Sequence, residues 1–221
     1  MARVRSGNPR GEVWAVILAA GASRRFGGSK QFETLRGVPL VERVVGTATE
    51  VCDAVVVVLP ETSSELDVPV TATVSGGVTR ADSVRCGLAA VPGDAEIVVI
   101  HDAAHPLAST GLFRAVIEAV EGGAAAAVPV LPLAEAPKHV EDDRVVKTPP
   151  LEGLHIAQTP QAFRARVLRA AHAEAPQAIE DSVLIEELGE TVVTVPGDPA
   201  NVHVVTRRDL DVAERLVDLV D

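Results

Sequence analysis

The chain is poor in aromatic rings. It has no tyrosine, one tryptophan and four phenylalanines among 221 residues, so its core must be aliphatic. Cysteine is nearly absent as well: Cys52 and Cys86 stand alone. They supply neither a disulfide framework nor a metal-binding spacing, and two reduced, packed thiols are expected. No run approaches the roughly 18 apolar residues that a membrane span requires. Residues 1–11 are basic and contain glycine and proline but no apolar stretch, so they read as a flexible tail rather than a signal peptide. Positive charge is in deficit, with 20 Lys and Arg against 31 Asp and Glu and a formal net charge of −11. That argues against a nucleic-acid binder, which needs a basic face. It does not argue against an anionic small substrate, because local cations govern a loop-lined site. A cytosolic protein with no membrane and no nucleic-acid partner is expected.

What is present suits a globular domain. Hydrophobic residues make up 47% of the chain, and its length fits a single α/β domain over residues 1–221, or one domain with a protruding element. The apolar run Val13-Trp14-Ala15-Val16-Ile17-Leu18 reads as a buried strand. It opens into Ala19-Ala20-Gly21-Ala22-Ser23, with Arg24, Arg25 and Lys30 close behind. Small residues at a strand end let backbone N–H groups approach a phosphate chain, and open α/β sheets hold nucleotides at such ends. This segment predicts a nucleoside triphosphate as ligand.

Strand-like and helix-like segments alternate almost to the C-terminus, the pattern of a doubly wound, mainly parallel sheet. Strands are predicted at residues 13–18, 54–59, 70–74, 97–101, 124–130, 191–195 and 202–205. Helices are predicted at 39–49, 80–90, 110–121, 164–175, 181–188 and 208–219, with Pro39 at a first helical position and Thr110 as an N-cap. Residues 131–150 break the alternation with four prolines and an acidic run. They are too long for an ordinary loop, so an arm over residues 131–154 is expected, with a solvated linker as the alternative.

Four further segments carry chemistry. Gly76-Gly77-Val78-Thr79-Arg80-Ala81-Asp82-Ser83 follows a strand and enters a helix, with Ser83 available to a base or ribose. His101-Asp102-Ala103-Ala104-His105-Pro106 closes a hydrophobic strand and places an acid and two histidines at its end. Gln158-Thr159-Pro160-Gln161 ends one strand and begins a helix, and Gly197–Thr206 lies near the C-terminus. Each is a common turn by itself; in this order several meet at one edge of a parallel sheet.

With these segments in this order, from Val13 to the C-terminus, the chain resembles the 2-C-methyl-D-erythritol 4-phosphate cytidylyltransferases, within the sugar-phosphate nucleotidyltransferase group. The resemblance rests on LAAGASRRFGGSKQF at residues 18–32, GGVTRADSV at 76–84, HDAAHP at 101–106, PVLPLAEAPK at 129–138 and QTPQAF at 158–163. It implies a Rossmann-like nucleotidyltransferase fold and Mg²⁺-dependent cytidylyl transfer from CTP to an alcohol phosphate. It also implies a homodimer formed through the arm. By the same resemblance Arg25 and Lys30 are catalytic. Ala19, Ala20, Gly21, Gly77, Arg80, Ser83 and Ala103 hold the nucleotide, and Asp102 positions the acceptor or metal.

The acceptor half departs from the family. His105 stands where the family has Arg, Glu135-Ala136 replaces an Asp-Thr pair, and Leu151 replaces a second Arg. Ile179 and Val205 occupy Thr positions, and His203 a Lys position. Neither Leu nor a neutral His can replace Arg as a bidentate phosphate ligand. In the nucleotide loop, Ser23 replaces a second Gly, and Ser29 stands where a Pro commonly precedes the Lys. Three readings follow. The acceptor is still methylerythritol phosphate, held by other groups such as Lys138, Arg144 or Lys147; or it is another polyol phosphate or phosphonate in a pocket defined by His105 and His203; or the protein binds nucleotide without catalysis. A dinucleotide oxidoreductase is disfavoured, because the first loop lacks G-x-G-x-x-G.

Overall fold

The computed structural model describes residues 12–219 apart from residues 24, 62–65 and 175. The expected tail at residues 1–11, and Arg24, lie outside the described residues. The first elements are β1 (Val13–Leu18), β2 (Thr34–Leu35), β3 (Val38–Pro39), α1 (Leu40–Val51), β4 (Ala54–Leu59), β5 (Ala72–Ser75) and α2 (Arg80–Ala90). Next come β6 (Ile97–Asp102), α3 (Thr110–Glu121), β7 (Ala126–Pro132), β8 (His139–Glu141), β9 (Arg144–Lys147) and β10 (His155–Ala157). The chain finishes with β11 (Gln161–Arg164), α4 (Ala165–Ala171), α5 (Asp181–Glu187), β12 (Val192–Pro196) and α6 (Arg207–Leu216).

The main sheet runs β10-β7-β11-β6-β1-β4-β5, with β12 also paired to β7. Its central strands are parallel, and β10 and β11 run antiparallel to their neighbours. Both faces of β1 are covered, which explains why it is apolar without alternation. Val13, Ala15 and Ile17 pack under α1 and α3, while Trp14, Val16 and Leu18 pack under α2, α4 and α5. Helix α1 buries Leu40, Val41, Val44, Val45 and Ala48, the stripe that a 3.6-residue period dictates. A third, smaller cluster joins α6 to the loop after β1 through Phe26, Leu35, Leu40, Leu107, Val204, Ala213 and Val217.

Several sequence expectations are corrected. Pro39 is the N-cap of α1 rather than its first residue, and Ser109, whose side chain accepts from Leu112 N, caps α3 in place of Thr110. Residues 202–205 form no strand. Their Val-His-Val-Val alternation is strand-like, but Val204 makes one backbone bond, to Ala104 O, and its own carbonyl accepts from Lys30. Gln158–Gln161 does not run into a helix: Pro160, which lacks an N–H, ends the β10 ladder, and β11 is inserted between β7 and β6 before α4 begins. Both cysteines are free. Among the described residues, no helix is long and apolar enough to cross a membrane.

In the stretch expected to form an arm, β8 and β9 make a separate two-stranded hairpin that turns through Asp142 and Asp143, both at positive φ. Val140, Val145, Val146, Leu151, Leu154 and Ile156 are exposed along residues 139–156.

Candidate active site

From β1 the chain leaves toward β4 on one side, and it returns through β6 on the other. At such a reversal the strand ends splay and leave a crevice. A cavity of about 450 Å³ occupies it, walled by the ends of β1 and β6, the loop before α2 and His203. Ala19, Ala20, Gly21, Lys30, Gly77, Arg80, Ser83, Asp102, Ala103 and His203, all expected from the sequence, line it together. Three others do not. Arg25 is exposed beside the lining, His105 is buried behind His203, and Lys138 is exposed in the arm, bonded to Thr148 Oγ1 at 2.9 Å.

The walls come close because their residues are small. A Cβ on Gly76 would lie 2.2 Å from Ala20 Cβ, so only glycine lets the two loops meet. Around Gly21, by contrast, the space is open. Ser23, at the position where the family carries glycine, adopts φ 49°, and its hydroxyl bonds Gly21 O at 3.3 Å. The loop before α2 is closed by a capping box: Thr79 accepts from Asp82 N, and the Asp82 carboxylate accepts from Thr79 N. Thr79-Arg80-Ala81-Asp82 carries that signature in the sequence, a signal that sequence reasoning missed. Ser83 is committed to the same loop, accepting from Gly77 N at 3.2 Å and donating to Thr79 O at 3.0 Å.

Lys30 and Arg80 bring positive charge to the lining. Lys30 Nζ donates to Val204 O at 2.6 Å. Burial pushes its pKa below the ordinary lysine value; nearby Asp102 resists this and Arg25 adds to it. Arg80 is paired on both sides, with Nη1 2.7 Å from Asp181 Oδ2 and Nε 3.5 Å from Asp102 Oδ1. Burial works against its charge, but the two carboxylates more than offset that and hold its pKa above the ordinary arginine value.

Histidines form the remaining wall. His105 and His203 stack with centroids 4.6 Å apart and planes 20° from parallel. A carbonyl can only accept, so His105 Nδ1–H donates to Asn201 O (3.2 Å) and His101 Nε2–H to His105 O (3.2 Å). Burial is the main cause lowering all three histidine pKa values, and His203, near His105 and Lys30, falls to about 4. At neutral pH the two rings, at positions where the resemblance expects Arg and Lys, therefore carry no charge. Gln158 holds the segment beneath them, donating to Asp198 O and Asn201 O and accepting from Asp198 N. The other departures lie apart from the lining: Leu151 and Ala136 are exposed in the arm, and Ile179 is 83% exposed.

The family model for 2-C-methyl-D-erythritol 4-phosphate cytidylyltransferase matches residues 13–218. The chain belongs to the 2-C-methyl-D-erythritol 4-phosphate cytidylyltransferase family. It is 41% identical over 218 residues to the Frankia casuarinae cytidylyltransferase of that name, covering 93% of this chain and 81% of that one. To the Nocardia farcinica enzyme it is 40% identical over 219 residues, covering 94% and 95%. The crystal structure of the Thermus thermophilus cytidylyltransferase superposes with a TM-score of 0.82 at 33% identity, covering 94% of this chain and 99% of the other. These matches favour the first of the three readings left open by the sequence, cytidylyl transfer to 2-C-methyl-D-erythritol 4-phosphate for isoprenoid precursor synthesis.

Proposed function

We propose that this protein transfers the cytidylyl group of CTP to the phosphate of 2-C-methyl-D-erythritol 4-phosphate, working in the cytosol. An acceptor phosphate oxygen bonds to the α-phosphorus of CTP, the bond to the bridging oxygen breaks, and pyrophosphate leaves. Both reactants are anions, so catalysis consists of holding them in line and neutralising the charge that develops. The observation that carries this reading is Lys30: a half-buried ammonium on the lining of a cavity otherwise walled largely by small residues and backbone. It can exchange its carbonyl partner for a phosphate oxygen. Arg25, exposed beside the pocket, meets the same triphosphate from the solvent side. The 19–21 loop offers backbone N–H groups to the phosphates, the Gly77–Ser83 loop faces the base, and His203 borders the acceptor as a neutral ring.

Among the described residues, no group of three or more His, Cys, Asp and Glu side chains could hold a metal ion. Asp102 is the one carboxylate on the described lining. A single carboxylate fits Mg²⁺, which keeps most of its waters and shares substrate phosphates with one or two acids. Asp102 is the residue assigned to it, and the ion bound there would neutralise phosphoryl charge. The exposed valines, leucines and isoleucine of residues 139–156 support a homodimer in which the arm docks on a second copy.

Pyrophosphate release with CTP, Mg²⁺ and 2-C-methyl-D-erythritol 4-phosphate tests the reading. Lys30→Ala is expected to lower the rate by about 10²–10³-fold, the usual cost of one preorganised charge-stabilising donor. Turnover that ignores Lys30, or that occurs only with other polyol phosphates or phosphonates, would overturn it.

A further inference from the structure

Arg80 lies between two carboxylates of unequal claim. Its Nη1 donates to Asp181 Oδ2 at 2.7 Å, while its Nε stands 3.5 Å from Asp102 Oδ1. Asp181 begins α5, 101 positions further along the chain, and its side chain is 2% exposed. Its second oxygen, Oδ1, accepts from His172 Nε2 at 2.9 Å, and the His172 side chain is 3% exposed. Neither Asp181 nor His172 lines the cavity. Burial opposes the Asp181 charge, but the His172 hydrogen bond and the Arg80 charge prevail and keep its carboxyl below the usual range.

A guanidinium facing one carboxylate tends to close into a two-bond fork. Here the shorter contact goes to the buried acid and the longer one to the acid in the pocket. Asp102 is fixed on its backbone side by Thr159 Oγ1, which accepts from Asp102 N at 3.2 Å. Its carboxylate meets Arg80 only through the long contact. We propose that Asp181 is a positioning residue of the active site: it draws Arg80 toward α5 so that the Asp102 carboxylate stays open to the pocket, and His172 braces it from behind. This rests on the cytidylyltransferase reading in which Asp102 works on the acceptor or the metal. Without the Asp181 charge the guanidinium swings onto Asp102, closes the fork and occupies the oxygens that the reaction needs.

Asp181→Asn keeps the shape and removes the charge. In the pyrophosphate assay it is expected to lower kcat/KM for the acceptor by about tenfold, the lower end of what outer partners of working ligands cost, with KM for CTP changed less. Asp181→Glu is expected to restore part of the loss. In an Asp102→Asn background the same Asp181→Asn change is expected to add little, which a merely structural role would not produce. A crystal structure of Asp181→Asn is expected to show two Arg80 contacts to Asp102 of about 3 Å. Should Asp181→Asn fail to fold, His172→Phe replaces it: it removes the hydrogen bond that braces Asp181, and its smaller loss is likewise expected to vanish without Asp102. An unchanged kcat/KM, a loss that persists in full in the Asp102→Asn background, or an Arg80 that stays on the α5 side in the variant crystal would overturn the proposal. A wild type that releases no pyrophosphate would instead defeat the functional reading, and the crystal would still decide the positioning.

Discussion

Restoring a cation at residue 203 tests how this site manages its acceptor with two neutral rings. His203 borders the cavity, and its pKa of about 4 leaves it uncharged at pH 7. His203→Lys adds one full charge there. A unit charge about 4 Å from a phosphate oxygen is worth ~1 kcal/mol in water and ~4 kcal/mol at an effective dielectric constant of 20. His203 is exposed, so the lower end applies, and ~1 kcal/mol corresponds to about a fivefold change in affinity. Lys30 and Arg25, which already help to push His203 down, repel the new lysine in the free enzyme; a bound phosphate relieves that repulsion. The assay is KM for 2-C-methyl-D-erythritol 4-phosphate at pH 7.5, at low and high salt. KM is expected to fall about three- to tenfold, with the gain shrinking as salt rises. Wild-type KM is expected to stay level from about pH 6.5 to 8.5, because neither His105 nor His203 ionises there. An unchanged or higher KM in the variant, or wild-type affinity that climbs steadily through that window on acidification, would refute the neutral-ring account.

Phe26→Ala should loosen the loop after β1, which carries Arg25 and Lys30. Phe26 is 4% exposed in the small cluster with α6, and the Arg207 guanidinium lies 4.9 Å from its ring centroid. About 3–5 kcal/mol of local stability is at stake, so a lower Tm and a fall in kcat through the neighbouring Arg25 are expected; Phe26→Leu should recover most of both, and unchanged kcat would count against the anchor. Acid should destabilise the fold early. His101, His105 and His203 all have folded pKa values below 6.5, so the unfolded chain binds more protons below that pH. Stability is therefore full above about pH 6.5 and declines as pH falls toward 4; denaturant midpoints at pH 7.5, 6 and 5 should descend, and a constant midpoint would contradict the lowered histidine pKa values.

The central strands were legible because burial on both faces leaves an unbroken apolar run. Residues 13–18 and 54–59 were expected as strands and are strands with those bounds. The ten lining residues could be read from four short segments because an open α/β sheet brings strand ends to one edge. What escaped depends on contacts distant in sequence. Residues 202–205 look like a strand, yet Lys30, 174 positions away, takes the Val204 carbonyl. Arg80 reads locally as a free cation for a nucleotide, and its pairing with Asp181, 101 positions away, appears only in the folded chain. The histidines are ordinary in sequence; their neutrality comes from stacking and burial.

Trp14, the one tryptophan, sits on β1 with 8% of its surface exposed and donates its indole N–H to Glu12 at 3.1 Å. It stands four positions before Leu18 at the cavity, about 13 Å along an extended strand. With no tyrosine in the chain, intrinsic ultraviolet emission has a single dominant source, placed at the far end of the strand that feeds the nucleotide loop. Its spectrum is an optical gauge of whether the central strand is still packed.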